Sequence, residues 1–214
     1  MRRVHAIEQE SYAILRERLA GRYPAAAAGW PPLARAVLER VVHASADLEY
    51  AEDLVLPQEP VLAQAVAALH SGAPIVADVA MVAAGITRRP ALCRITDPRA
   101  AQIAAQEGIT RSAAALRLAA HEAGPGAVYV IGCAPTALFE LIEHWEQYRP
   151  LLVVGLPVGF VGAAESKAAL RAHEGLSPRS VSNRGGKGGS AVAAAAVNAL
   201  LYAESSGERE RSRA

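Results

Sequence analysis

Apolar residues recur three and four apart through the first third of the chain and then contract into short unbroken runs, so the hydrophobic period itself changes along the sequence. Ile7 to Leu19, Pro31 to His43 and Pro60 to His70 carry the helical spacing, and in the second of these Leu33, Val37 and Val41 form one stripe. Pro31 and Pro32 suit a first helical turn, where an amide has no intrahelical acceptor to lose. The N-terminal region is therefore predicted to be helical. Beyond it, β-prone runs at Pro74 to Ala77, Leu92 to Ile95, Val128 to Ile131, Leu151 to Val154 and Arg179 to Ser182 alternate with Ala-rich helical segments. That alternation produces parallel strands joined by right-handed crossovers. The expected fold is α/β, a doubly wound, mainly parallel sheet of about five strands flanked by helices, with the helical N-terminal region added.

A length of 214 residues exceeds what one core needs and falls short of two ordinary domains with a linker, so a single domain over residues 1–203 is expected. The last stretch, Glu204 to Ala214, has no apolar residue to order it and reads as a disordered tail. Ala25 to Ala28 reads as a linker or loop.

Three glycine-bearing loops follow strands: Gly132 to Thr136, Gly155 to Gly162 and Asn183 to Ser190. In an open parallel sheet they should face one crevice beyond the strand ends, where amides and helix N-termini attract anions. Any one loop alone is explained as well by tight turns and close packing; the three together point to a ligand. A nucleotide is disfavoured. GLPVGFVG lacks the G-x-G-x-x-G spacing, Gly188 follows Lys187 where a phosphate-binding loop needs Ser or Thr, and Val181 stands where its first glycine would be.

Charge narrows the partners. The net charge is +1 with the basic residues scattered, which gives no stripe for nucleic acid. Cys93 and Cys133 lie far apart and outside any paired spacing, so they are expected to be small buried thiols in a reducing cytosol. The N-terminus lacks a signal-type apolar core and no segment is apolar enough to span a bilayer, so the expectation is a soluble cytoplasmic protein. His5, His70, His121, His144 and His173 form no cluster with Cys, Asp or Glu, and no metal site is expected.

His43 is the candidate for acid–base work, because an imidazole both gives and takes a proton near neutral pH. It sits at the end of its helix, where a cation is favoured, and Arg40 shares its face three residues earlier. The arginine opposes protonation of the imidazole unless an anion occupies it, so a bound carboxylate would couple binding to proton donation. Spacing alone favours a partly exposed helix-end histidine beside a solvated arginine. Ser11 falls among Ile7, Ile14 and Leu15, where a hydroxyl needs a partner or bonds the carbonyl one turn back. Thr110, Arg111 and Ser112 open a helix with a capping hydroxyl and a cation, which fits either a carboxylate seat or an ordinary helix start.

Five stretches carry a resemblance: RVVHASAD at Arg40 to Asp47, TRSAAALRLA at Thr110 to Ala119, VYVIGCAPTALFELIEHW at Val128 to Trp145, LLVVGLPVGFVGAAESKAAL at Leu151 to Leu170, and GGKGGSAVAAAAVNAL at Gly185 to Leu200. Over about Ile7 to Tyr202 the chain resembles the precorrin-8X methylmutase family of cobalamin biosynthesis. The resemblance implies migration of a methyl group from C-11 to C-12 of a corrin-type macrocycle, converting precorrin-8X into hydrogenobyrinate without a cofactor. It implies His43 as the catalytic residue and Ser11 and Arg40 as substrate contacts. The acetate and propionate arms of such a substrate would be neutralised by loop amides, Arg40, Arg111, Arg184 and Lys187, with Thr110 and Ser112 beside them. It further implies a homodimer with the pocket near the subunit boundary. The chain departs from the family pattern at Arg184-Gly185-Gly186, where a second arginine is expected. Rival readings are the cobalt-precorrin-8 methylmutase of the cobalt-early route, a non-catalytic corrinoid carrier that has no use for an acid at His43, and a flavodoxin-like nucleotide module.

Overall fold

The computed structural model describes residues 6–24 and 29–203, so the readings of Ala25 to Ala28 and of the tail lie outside the described residues. The predicted helices are present as α1 (Ala6–Arg22), α2 (Pro32–Ser45) and, past a short turn of helix α3 (Tyr50–Asp53), α4 (Glu59–His70). No side chain of its own caps α2. Instead Glu59, at the start of α4, accepts from the amides of Leu33 at 2.8 Å and Ala34 at 3.3 Å, which satisfies two orphan donors and sets a carboxylate at the positive helix end. The stripe read from the sequence is buried: Leu33, Val37 and Val41 all face the core.

The sheet has five strands in the order β1-β5-β4-β3-β2. β2 (Ile75–Ala77), β3 (Val128–Ile131), β4 (Leu152–Gly155) and β5 (Ser180–Asn183) are parallel neighbours. β1 (Leu54–Val55) pairs antiparallel with β5, Leu54 opposite Asn183, which makes the sheet mixed. The run Leu92 to Ile95 is not a strand. Leu92 alone bridges to Val76, donating to the Ile75 carbonyl and accepting from the Ala77 amide. The chain has no room for more, because Asp97 already caps α6 (Pro98–Glu107) by accepting from the Arg99 amide at 2.9 Å.

Successive residues of a strand point to opposite faces, and both faces are covered. On one, Tyr129, Ile131 and Val153 pack against α7 (Arg111–Ala123), α8 (Pro135–Glu143) and α10 (Ala163–Ala172), the three crossover helices. The parallel strands run in order without reversal, so right-handed crossovers place all three on the same side. On the other face, Val128, Val130, Leu152 and Val154 pack against α2, α4 and α11 (Ser190–Tyr202). α11 is alanine-rich and buried from Val192 to Leu201, which lets neighbouring backbones come close. Gly132, just past β3, shows how close: a Cβ there would stand 2.8 Å from the Ala193 Cβ, 2.9 Å from the Val82 Cγ2 and 3.0 Å from the Gly189 carbonyl oxygen. Gly132→Ala should therefore destabilise the fold by about 1–3 kcal/mol, as overpacking does, read as an earlier midpoint in chemical denaturation.

Candidate active site

An open groove of about 700 Å³ lies between α1, α2, α11 and the end of α5 (Ala80–Gly85), within the size range of small-molecule sites. Its floor is the small-residue face of α11, Ala191, Ala194 and Ala195, and its polar wall comes from Ser11 and Tyr12 of α1 and Arg40 and His43 of α2. Asn198 ties floor to rim. Its Nδ2 donates to the Gly85 carbonyl at 2.8 Å and its Oδ1 accepts from the Thr87 amide at 3.2 Å.

His43 is exposed at this wall, and its imidazole lies face to face with the Tyr12 ring, centroids 4.7 Å apart and planes 7° from parallel. The guanidinium of Arg40 lies 5.2 Å from the centroid of the Tyr202 ring, and that of Arg88 lies 5.3 Å from the same ring. Arg88 also donates to the Leu201 carbonyl at 2.7 Å, and the Tyr202 hydroxyl is 3.0 Å from the Thr87 hydroxyl. An aromatic ring contacted by two cations, with its hydroxyl fixed, is a rigid mount for Arg40. Burial pushes the Tyr12 phenol above its ordinary range, with Arg40 beside it pulling the other way. Ser11 makes no hydrogen bond among the described residues, so its hydroxyl does not turn back on its own helix.

The glycine loops differ from expectation. Asp78, only 1% exposed at the end of β2, fills the first with its carboxylate: Oδ1 accepts from the Gly132 amide at 3.1 Å, and Oδ2 from the amides of Cys133 and Ala134, each at 2.8 Å. Burial pushes this carboxyl above its usual range, against the pull of those amides. Neither thiol is buried as expected: Cys133 is exposed and Cys93 is only partly buried. The other two loops pack on each other. The Gly159 amide donates to the Gly186 carbonyl at 3.2 Å, the Gly189 amide to the Leu156 carbonyl at 2.9 Å, and a Cβ at Gly186 would stand 2.8 Å from the Gly159 carbonyl oxygen. These glycines serve backbone-to-backbone approach, the physical reason the loops do not present three free amide cradles.

The cations of the third loop are engaged within the chain. Lys187 Nζ lies 3.1 Å from Asp47 Oδ2, 2.8 Å from Glu49 Oε2 and 2.9 Å from Asp53 Oδ2. Desolvation opposes its charge, but the three carboxylates win and hold the ammonium protonated above the usual lysine range. Arg184 donates through its amide to the Asp53 carbonyl at 2.9 Å and through Nη1 to the Glu52 carbonyl at 2.8 Å. Lys167 is buried and donates to Asn183 Oδ1 at 2.9 Å and to the Lys187 carbonyl, which fixes the loop from beneath. Neither Arg184 nor Lys187 lines the groove. Lys187→Met should lower stability by about 1 kcal/mol, screened as a partly exposed cluster is, with ligand affinity unchanged; weaker binding with unchanged melting would return Lys187 to the ligand.

Thr110 caps α7, accepting from the Ala113 amide at 3.2 Å and donating to the Thr136 hydroxyl at 2.7 Å, with Arg111 and Ser112 in the first turn behind it. All three stand apart from the groove. The structure thus brings Ser11, Arg40 and His43 together and adds Tyr12, Asn198 and Tyr202, which the sequence reading missed. Asn198 carried a usable signal, a lone amide in the apolar run AVAAAAVNALL; the two tyrosines carried none until the helices were packed.

A family model described as precorrin-8X methylmutase matches residues 6–203. The chain belongs to that family. Among curated methylmutases, it is 45% identical over 167 residues to the cobalt-precorrin-8 methylmutase of Methanocaldococcus jannaschii, covering 77% of each chain. It is 42% identical over 205 residues to the precorrin-8X methylmutase of Pseudomonas aeruginosa, covering 91% of this chain and 93% of the other. The solved structure of the precorrin-8X methylmutase from Thermus thermophilus superposes with a TM-score of 0.77 at 34% identity, over 92% of this chain and 94% of that one. Members of the family are isomerases that shift a methyl group in cobalamin biosynthesis, so the chain is an intramolecular methyl transferase by class.

Proposed function

We propose that this chain moves the methyl group from C-11 to C-12 of precorrin-8X, giving hydrogenobyrinate, with His43 as the acid. The observation that carries the reading is the groove wall itself, where an imidazole, a mounted arginine and a hydroxyl with no hydrogen bond among the described residues converge above an apolar floor. Such a floor suits the flat face of a macrocycle, while Arg40 suits a carboxylate arm and Ser11 a polar group at its edge.

His43 lends a proton to the conjugated ring system, which makes C-12 electron-poor. The methyl group then leaves C-11 with its bonding electrons and closes on C-12, and the ring returns the proton to the imidazole. Substrate and product are isomers, so the step balances without an oxidant, reductant or methyl donor. A carboxylate seated on Arg40 neutralises a cation beside His43, which couples substrate binding to proton donation. Holding the ring rigidly in a reactive geometry supplies the rest of the rate.

The groove is open on one side, whereas the substrate has two faces and several arms. We therefore take the working form to be a cytoplasmic homodimer with the groove near the subunit boundary, in which Thr110, Arg111 and Ser112 meet the outer arms. The apolar side chains of Phe160 and Val161, exposed in the loop after β4, favour a second copy. Sedimentation at the mass of two chains is the expected result.

The curated relatives carry both substrate names, so cobalt-precorrin-8 is the second reading. Single-turnover absorbance with each form separates them, the true substrate giving the spectrum of the rearranged ring. A corrinoid carrier would bind with a spectral shift and yield no rearranged product, and that outcome would overturn the enzymatic reading.

A further inference from the structure

A histidine that moves a proton is ordinarily aimed by a hydrogen bond from its second ring nitrogen to a carboxylate or carbonyl, which fixes the ring plane. Among the described residues His43 has no such device. Neither ring nitrogen has a hydrogen-bond partner among the described residues, and the side chain is exposed near the end of α2, where its rotamers would otherwise be free. What the imidazole does have is a face. The Tyr12 ring lies against it at 4.7 Å and 7° from parallel, and both residues line the groove.

Tyr12 is itself braced. The guanidinium of Arg16 lies 5.7 Å from the centroid of its ring, and Arg16 is locked to Glu39 by two bonds, Nε to Oε1 at 3.0 Å and Nη2 to Oε2 at 2.8 Å. Glu39 is 8% exposed and stands four residues before His43, on the same face of α2. The bidentate pair therefore clamps α1 to α2 one turn from the stack, and the two aromatic planes are set by packing rather than by solvent.

Resting on the reading of His43 as the acid, we infer that Tyr12 is the positioning residue for His43: its ring, not its hydroxyl, holds the imidazole in the plane from which it reaches the substrate. The stack leaves both ring nitrogens available, one for the substrate and one for water, whereas an orienting carboxylate would engage one of them.

Tyr12→Leu should lower kcat about 10- to 100-fold with KM within about twofold, since misplacing a catalytic group costs rate rather than binding. Tyr12→Phe retains the ring and should recover most of that loss. In a His43→Asn background Tyr12→Leu should cost nothing further, because the group it aims is gone. Proton NMR of the ligand-free protein gives a readout independent of turnover: the imidazole C–H resonances of His43 should lie upfield in the parent and in Tyr12→Phe, and return to ordinary positions in Tyr12→Leu. Resonances at ordinary positions in the parent overturn the inference without any variant. So does a Tyr12→Leu that retains kcat while His43→Asn loses it, an equal loss in both backgrounds, or a failure of Tyr12→Phe to recover rate. Near-parental turnover by His43→Asn is a different result and removes the acid assignment on which the inference stands.

Discussion

His43→Asn should bind precorrin-8X with near-parental affinity and convert it at least about 100-fold more slowly, the lower bound of what a placed general acid commonly contributes. The expectation follows from the division of labour along the groove. Affinity comes from the alanine floor of α11 and from Arg40, while the imidazole is assigned the proton transfer. Asparagine retains a hydrogen-bond donor at similar size and cannot supply a proton, so the variant separates shape from proton transfer. His43→Ala should behave alike in rate. A single-turnover absorbance assay decides the matter, and rearrangement at near-parental rate by either variant would favour a carrier.

Arg40→Ala should act on the other side of that division, weakening corrinoid affinity by roughly 1–3 kcal/mol, about 5- to 150-fold in Kd, the cost of a lost charge-assisted contact. The arginine is mounted for this task, its guanidinium 5.2 Å from the centroid of the Tyr202 ring, whose hydroxyl is in turn tied to Thr87. Little ordering cost remains to be met when the ligand arrives. Fluorescence titration measures the effect, and equal affinity of variant and parent would remove Arg40 from the site.

β2, β3 and β4 were readable because each is a largely continuous apolar run, and these three and β5, the mostly polar Ser-Val-Ser-Asn, fell within a residue of their predicted places. β1 was not, since two residues carry no period. Leu92 misled for a related reason: it has the right composition, but its neighbours lead at once into the Asp97 cap. In the groove, Arg40 and His43 were legible as a pair because helical geometry places residues three apart on one face. The roles of Lys187 and Asp78 were not. The carboxylates around Lys187 precede it by more than 130 positions, and the amides around Asp78 follow it by more than 50, distances over which no local pattern operates. Tyr12 is the same case, a ring whose partner is chosen only when α1 lies down on α2.

The occupied cradle of Asp78 bears on the order of events in the cell. A loop that needed a substrate carboxylate to satisfy its amides would take shape only in the presence of that substrate, and inorganic phosphate would compete for it. Here the anion is part of the polypeptide, so the turn after β3 closes during folding, and the scaffold needs no macrocycle to be complete. Supply of the pathway intermediate and maturation of the catalyst are thereby independent.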